Sequence, residues 1–165
     1  MRQPSRKILI VGLGNPLSGD DGFGSQVLER LRRPETPLPP GVTAVDAHTD
    51  LLNHLEDFAA YDEVVLVDAV LDPENKLGAS GRVVVLREET FQPWTEASPG
   101  VHEMTPLLTV KLFRALYPQA ETRFTLLGLA VDQLTSNTIY ATEARIAEAL
   151  DALLSLLEIK QDSRN

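Results

Sequence analysis

Short apolar runs bounded by glycine, proline or polar residues recur along the chain. They are rich in valine, isoleucine and leucine, which is typical of buried strands. The run Val64–Val67 is the clearest of them, because all four of its residues are apolar. The predicted strands are Lys7–Val11, Val42–Asp46, Glu63–Asp68, Arg82–Leu86 and Arg123–Leu129.

Between these runs, apolar residues recur every three or four positions, which predicts amphipathic helices. The predicted helices cover residues 22–33, 49–58, 105–116 and 137–157. Asp20 and Asp21 stand at the start of the first helix, where negative charge complements the helix dipole and one aspartate suffices as a cap. Pro106 is compatible with a helix only in its first turn.

Alternation of strands and helices predicts one three-layer α/β domain over residues 1–165. We expect a mostly parallel twisted sheet of the phosphorylase/hydrolase-like kind, with helices on both faces. Its core is predicted to span residues 7–157, and residues 158–165 to be a frayed tail. Ligands of such sheets bind beyond the carboxyl ends of the strands, so the loops at that edge are the candidates for chemistry.

Composition narrows the chemistry. With no cysteine, the chain has no disulfide, thiolate zinc site or cysteine nucleophile. A formal net charge of −9 disfavours a nucleic-acid partner, since phosphate backbones are repelled. No apolar stretch is long enough to span a membrane, and no large apolar patch is evident, so we expect a cytoplasmic monomer.

The first candidate loop is Gly12–Gly24, which follows the first strand. A dinucleotide-binding turn needs a third glycine at residue 17, where this chain has leucine, and Asp20 and Asp21 would repel a phosphate. If Asp20 caps the helix, Asp21 is left to face the edge of the sheet.

Two further loops carry ionisable residues. Asp68 ends a buried strand, either as a hydrogen-bonded turn residue or as a ligand, and His102 precedes a helix. His102 is either a cap or surface residue or a ligand; if Asp21 and Asp68 converge with it, the three give a carboxylate–carboxylate–imidazole set that suits Zn²⁺ or Ni²⁺ and leaves open positions. Asp46 and His48 follow the second strand and either rim the same edge or form a plain polar turn.

These motifs resemble those of the [NiFe]-hydrogenase maturation endopeptidases over about residues 7–157. The residues that carry the resemblance are Gly12-x-Gly14-Asn15-x-Leu17-x-x-Asp20-Asp21-Gly22-x-Gly24-x-x-Val27, Asp46-Ala47-His48-Thr49 with Leu51-Leu52, Val67-Asp68-Ala69 and His102. The first motif is fairly specific, and the others are persuasive in combination.

The resemblance implies an endopeptidase that removes the C-terminal extension of a hydrogenase large-subunit precursor after nickel insertion. The family's metal-contacting trio maps onto Asp21, Asp68 and His102, with Asn15, Asp20, Asp46 and His48 as possible accessory residues. The nickel is expected to be carried by the substrate, and no organic cofactor is implied. A carbonyl or water polarised by the metal is the natural route to cleavage.

The chain departs from the family pattern at two places. Ala47 and His48 stand where the family has two glycines, so His48 is either an extra ligand or a spacer. Gly128–Gln133 keeps a glycine of a substrate-side turn and lacks its glutamate and proline.

Two alternative functions remain from the sequence. Gly12–Pro16 also resembles the first turn of peptidyl-tRNA hydrolases, although the residues that should follow it are different and the acidic charge disfavours tRNA. A non-catalytic chaperone that binds the nickel-loaded precursor is the second alternative.

Overall fold

The computed structural model describes residues 6–90, 105–134 and 138–162, with side chains in the last range described up to residue 157. Its strands are β1 (Ile8–Leu13), β2 (Val42–His48), β3 (Glu63–Leu71), β4 (Val83–Arg87) and β5 (Arg123–Val131). They form one sheet in the order β2-β1-β3-β5-β4, in which only β4 is antiparallel to its neighbour. The predicted mostly parallel sheet is confirmed.

The described helices are α1 (Phe23–Leu31), α2 (Pro106–Leu116) and α3 (Glu143–Asp162). The hydroxyl of Thr105 accepts a hydrogen bond from Leu108 N at 3.2 Å, and Pro106 is the first residue of α2, as predicted. Among the described residues no helix combines the length and the apolar character needed to cross a bilayer.

Side chains of each strand alternate between two separate cores. Ile8 and Ile10 of β1 pack with α1 and α3, whereas Leu9 and Val11 pack with α2 on the opposite face. Phe23 and Phe113 are fully buried on these two faces, respectively. The sheet is therefore the middle of three layers, which confirms the predicted fold class.

The helix predicted at residues 49–58 is wrong in its type. The segment forms two 3₁₀ helices, Leu51–His54 and Asp57–Ala60, in which Leu55 N bonds to Leu52 O three residues earlier. The apolar residues Leu51, Leu55 and Phe58 are buried all the same, because spacings of three and four residues suit both helix types.

Most predicted boundaries shift by one or two residues, and boundaries of two elements shift further. β3 continues past Asp68, because Asp68–Leu71 pair with Gly128–Val131 of β5, so Asp68 lies within the strand rather than at its end. The described part of the last helix begins at Glu143 rather than at 137, after Thr142, whose carbonyl accepts from Ile146 N.

Candidate active site

The loop after β1 is organised by its own polar groups. Asn15 Oδ1 accepts from Leu17 N at 3.0 Å, and Asn15 O accepts from Ser18 N at 3.0 Å. A 3₁₀ turn, Gly19–Gly22, then leads into α1. Asn15 was predicted as a possible accessory residue, and the structure shows that its side chain fixes this turn.

Asp21 lies in that 3₁₀ turn, and its carboxylate points back over the loop. Its Oδ2 accepts a hydrogen bond from Asn15 N at 3.1 Å, in a partly buried position. A carboxylate anchored through one oxygen keeps lone pairs for another partner. The turn therefore holds Asp21 in a fixed position at the carboxyl edge of β1.

Gly14 is required by this arrangement. Its φ is +101°, and a Cβ added there would lie 1.6 Å from the carbonyl oxygen of Asp21, which no rearrangement of a side chain could relieve. The same Cβ position is 3.6 Å from Asp68 Oδ1. Gly14 thus marks the point where the Asp21 turn meets the Asp68 side chain, as the sequence predicted for one sheet edge.

Asp68 is partly buried within β3, opposite Gly128 of β5. Its Oδ1 accepts from Ala69 N at 2.8 Å, so the carboxylate is held close to its own backbone. Of the two interpretations of Asp68, a hydrogen-bonded residue and a ligand, the first is seen directly, and it leaves the second open because a carboxylate accepts several bonds.

Asp46 and His48 belong to β2 and reach the same edge. Asp46 Oδ1 accepts from Ser25 Oγ at 2.9 Å and from His48 N at 3.2 Å. His48 O in turn accepts from Gly14 N at 2.7 Å. Asp46 therefore links β2 to α1, the backbone of His48 links β2 to the first loop, and the imidazole of His48 is exposed.

Ser25 is a residue of this edge that sequence reasoning missed. Its buried hydroxyl lies within hydrogen-bond distance of both Asp46 Oδ1 and Gly14 O. The only sequence signal was a serine directly after Gly24 on the first turn of α1, which is a common position for a solvent-facing residue. Its partner lies 21 residues away, so local pattern could not reveal the contact.

Asp20 is turned away from this edge. It is 4% exposed, and its Oδ1 accepts from Tyr140 N at 2.8 Å and from Ala141 N at 2.7 Å. The expectation that it caps α1 is wrong, since no side chain caps that helix and the Asp20 carboxylate holds the segment before α3 instead.

His102 lies outside the described residues. α2 begins at Pro106, four residues after it, and contacts the 3₁₀ helix Leu51–His54 that follows β2. Within ranges 6–90, 105–134 and 138–157, no three His, Asp or Glu side chains gather closely enough to hold a metal ion. The described part of the predicted trio is the pair Asp21 and Asp68.

Fold and site together define a class: a three-layer α/β protein with carboxylates converging at the carboxyl edge of its parallel strands. No family model matches the chain. It is 28% identical over 155 residues to the hydrogenase 2 maturation protease of Escherichia coli, covering 92% of this chain and 90% of that relative.

Solved structures show the same similarity. The solution structure of an endopeptidase from Escherichia coli is similar with a TM-score of 0.74 and 25% identity, covering 93% of each chain. The hydrogenase maturating endopeptidase HybD from Escherichia coli has a TM-score of 0.69 over 93% of each chain at 24% identity, which supports the fold. Over nearly its whole length the chain is thus similar to hydrogenase maturation proteases, in sequence and in fold.

Proposed function

We propose that the protein is an endopeptidase that removes the C-terminal extension of a nickel-loaded [NiFe]-hydrogenase large-subunit precursor. The observation that carries the proposal is the meeting of the Asp21 turn and the Asp68 carboxylate at Gly14. Both carboxylates are partly buried, so a substrate-borne cation that reaches them is shielded from bulk water.

In this proposal Asp21, Asp68 and His102 contact the nickel that the precursor carries. Carboxylate and imidazole groups are suitable ligands for a divalent ion of this kind, and three of them leave positions for groups of the substrate. The metal then polarises the scissile carbonyl or a water molecule, so that cleavage needs no serine or cysteine nucleophile.

The experiment is a processing assay with nickel-loaded and nickel-free precursor, in which cleavage is measured as a change in the mass of the precursor. We expect loss of a C-terminal peptide from the nickel-loaded form alone. Asp21→Ala, Asp68→Ala and His102→Ala should each lower the rate by about 100-fold or more, because each removes a group placed on the metal.

The matched control variants each replace one residue outside the proposed site, at the opposite edge of the sheet or on the polar surface. Asp57 is an exposed aspartate in the 3₁₀ helix just before β3, at the amino edge, and His54 is a second described histidine. Asp57→Ala and His54→Ala should process the precursor at the wild-type rate. Full processing by Asp68→Ala or His102→Ala would contradict the proposed site, and tight binding without cleavage by the wild type would favour the chaperone.

The peptidyl-tRNA hydrolase alternative is the less favoured one. The similarity to hydrogenase maturation proteases extends over nearly the whole chain, whereas the tRNA-enzyme resemblance is confined to Gly12–Pro16. The net charge of −9 also opposes binding of a polyanion.

A further inference from the structure

Leu17 is the most exposed large apolar side chain among the described residues, at 93% accessibility. Single exposed leucines are common on protein surfaces, so exposure alone assigns no role. What distinguishes Leu17 is its place within the loop that presents Asp21.

The loop holds Leu17 in a fixed position. Leu17 N donates to Asn15 Oδ1, Ser18 N donates to Asn15 O, and Asp21 N donates to Ser18 O at 3.1 Å. The polar groups of the turn are thus directed at one another, and the leucine side chain is what the turn offers to the outside. A side chain on a preordered turn loses little backbone entropy when a partner covers it.

Leu17 also lies close to Asp21. The Asp21 carboxylate accepts from Asn15 N, and Asn15 is two residues before Leu17. Two residues span at most about 7 Å of chain. Leu17 is therefore within about 7 Å of the residue whose backbone holds the Asp21 carboxylate, and both belong to one hydrogen-bonded turn.

We propose that Leu17 is a substrate-contacting residue that packs against an apolar side chain of the precursor beside the Asp21 carboxylate. The inference rests on the proposed function and names a recognition element of the same site. Leu17 contributes binding that is equal in the ground state and in the transition state, because it touches no reacting group.

The test compares the steady-state processing of nickel-loaded precursor by the wild type and by Leu17→Ala, Leu17→Met and Leu116→Ala. We expect Leu17→Ala to raise KM about 10-fold with kcat unchanged, since the area that a leucine buries beyond alanine corresponds to roughly that factor. Leu17→Met should have the wild-type KM, because methionine has a volume similar to that of leucine.

Leu116 is the matched control. It is an exposed leucine at the end of α2, where the chain turns towards the start of β5 at the amino edge. Leu116→Ala should leave KM and kcat unchanged. Thermal unfolding should give the same melting temperature for all four proteins, because neither leucine side chain is buried in the free protein.

The outcomes separate the two proposals. A wild type that cleaves the precursor, with Leu17→Ala showing wild-type KM, overturns the Leu17 contact and leaves the proposed function standing. A change of oligomeric state in Leu17→Ala, measured by light scattering, would show that a second copy of the chain covers Leu17 and would also overturn it. A wild type that neither binds nor cleaves the precursor overturns the proposed function, and the contact falls with it.

Discussion

His48 has a backbone conformation that glycine adopts more readily. Its φ is +51°, in the left-handed region, at a position where related proteases have glycine according to the sequence resemblance. The bond from Gly14 N to His48 O holds this conformation, and the register between β1 and β2 shifts just there, with Leu13 opposite His48. The hydrogen bond that positions the first loop therefore also maintains the strained backbone conformation of His48.

We predict that His48→Gly stabilises the protein by about 0.5–1 kcal/mol. Relief of left-handed strain of about 1–2 kcal/mol outweighs the extra entropy that glycine has in the unfolded chain, about 0.5–1 kcal/mol. Urea unfolding measures the difference. Asn75→Gly is the matched control, because Asn75 has a φ of +53° and asparagine tolerates this region, so its gain should be smaller.

The same variant decides the role of the imidazole. Processing at the wild-type rate by His48→Gly would identify His48 as a spacer, in agreement with its exposed side chain. A tenfold or greater loss would identify it as an additional ligand. A net loss of stability would show that the contact of 3.5 Å between His48 Nδ1 and Asp46 Oδ1 outweighs the backbone strain.

At the scale of elements, Asp20 joins the first motif to the last helix. Its carboxylate accepts from two backbone N–H groups that are 120 and 121 residues away, just before α3. A second link is the ion pair between Arg30 of α1 and Glu143 of α3. The neighbouring aspartates of the motif therefore make different contacts: Asp20 connects two elements, and Asp21 binds Asn15 N within the first loop.

We predict that Asp20→Ala lowers the free energy of unfolding by about 2–4 kcal/mol, because it leaves two N–H groups without their charged acceptor. Asp20→Asn should cost less than half of that, since its carbonyl oxygen can still accept both bonds. Asp21→Ala, which loses a single bond to Asn15 N, should cost about 1 kcal/mol. Urea unfolding of the three variants measures these values.

The processing rate should depend on the two aspartates in the opposite order to the stability. Asp20→Asn should retain most of the wild-type rate, and Asp21→Ala should lose it. Loss of processing by Asp20→Asn without loss of stability would show that Asp20 acts on the substrate, contrary to this division of roles.

At the scale of the whole molecule, the sequence was sufficient to predict the layers and the sheet edge at which Asp21 and Asp68 lie. The five apolar runs all became strands, because a run of branched apolar residues has few other ways to be buried, and Asp21 and Asp68 met at the predicted edge. The predictions from the sequence failed in two ways. The two 3₁₀ helices, Leu51–His54 and Asp57–Ala60, bury Leu51, Leu55 and Phe58, whose spacing also fits an α-helix, and leave Leu52 exposed, so periodicity could not distinguish the helix types.

The second kind of failure concerns contacts between distant residues. The pairing of Asp20 with Tyr140 and the pairing of Ser25 with Asp46 depend on how elements pack, and neither leaves a local pattern. The capping of α1 by Asp20 was a reasonable expectation from local rules, and a tertiary contact replaced it. Sequence patterns therefore predicted which loops come together at the sheet edge better than they predicted what each polar side chain binds.

The origin of the metal is a property of the whole molecule and its substrate. A chain with a net charge of −9 attracts cations generally, yet its described residues hold no three-ligand metal cluster, and the proposed site combines two carboxylates with one histidine. Such a set leaves positions that the substrate's own ligands would fill.

We therefore predict that enzyme treated with a chelator and desalted processes nickel-loaded precursor at the wild-type rate, whereas precursor stripped of nickel is not processed. The mass of the precursor checks both arms, with mock-treated enzyme as the control. If chelator-treated enzyme were inactive and regained its rate with added nickel, the metal would belong to the enzyme, and the site would need a further ligand from this chain.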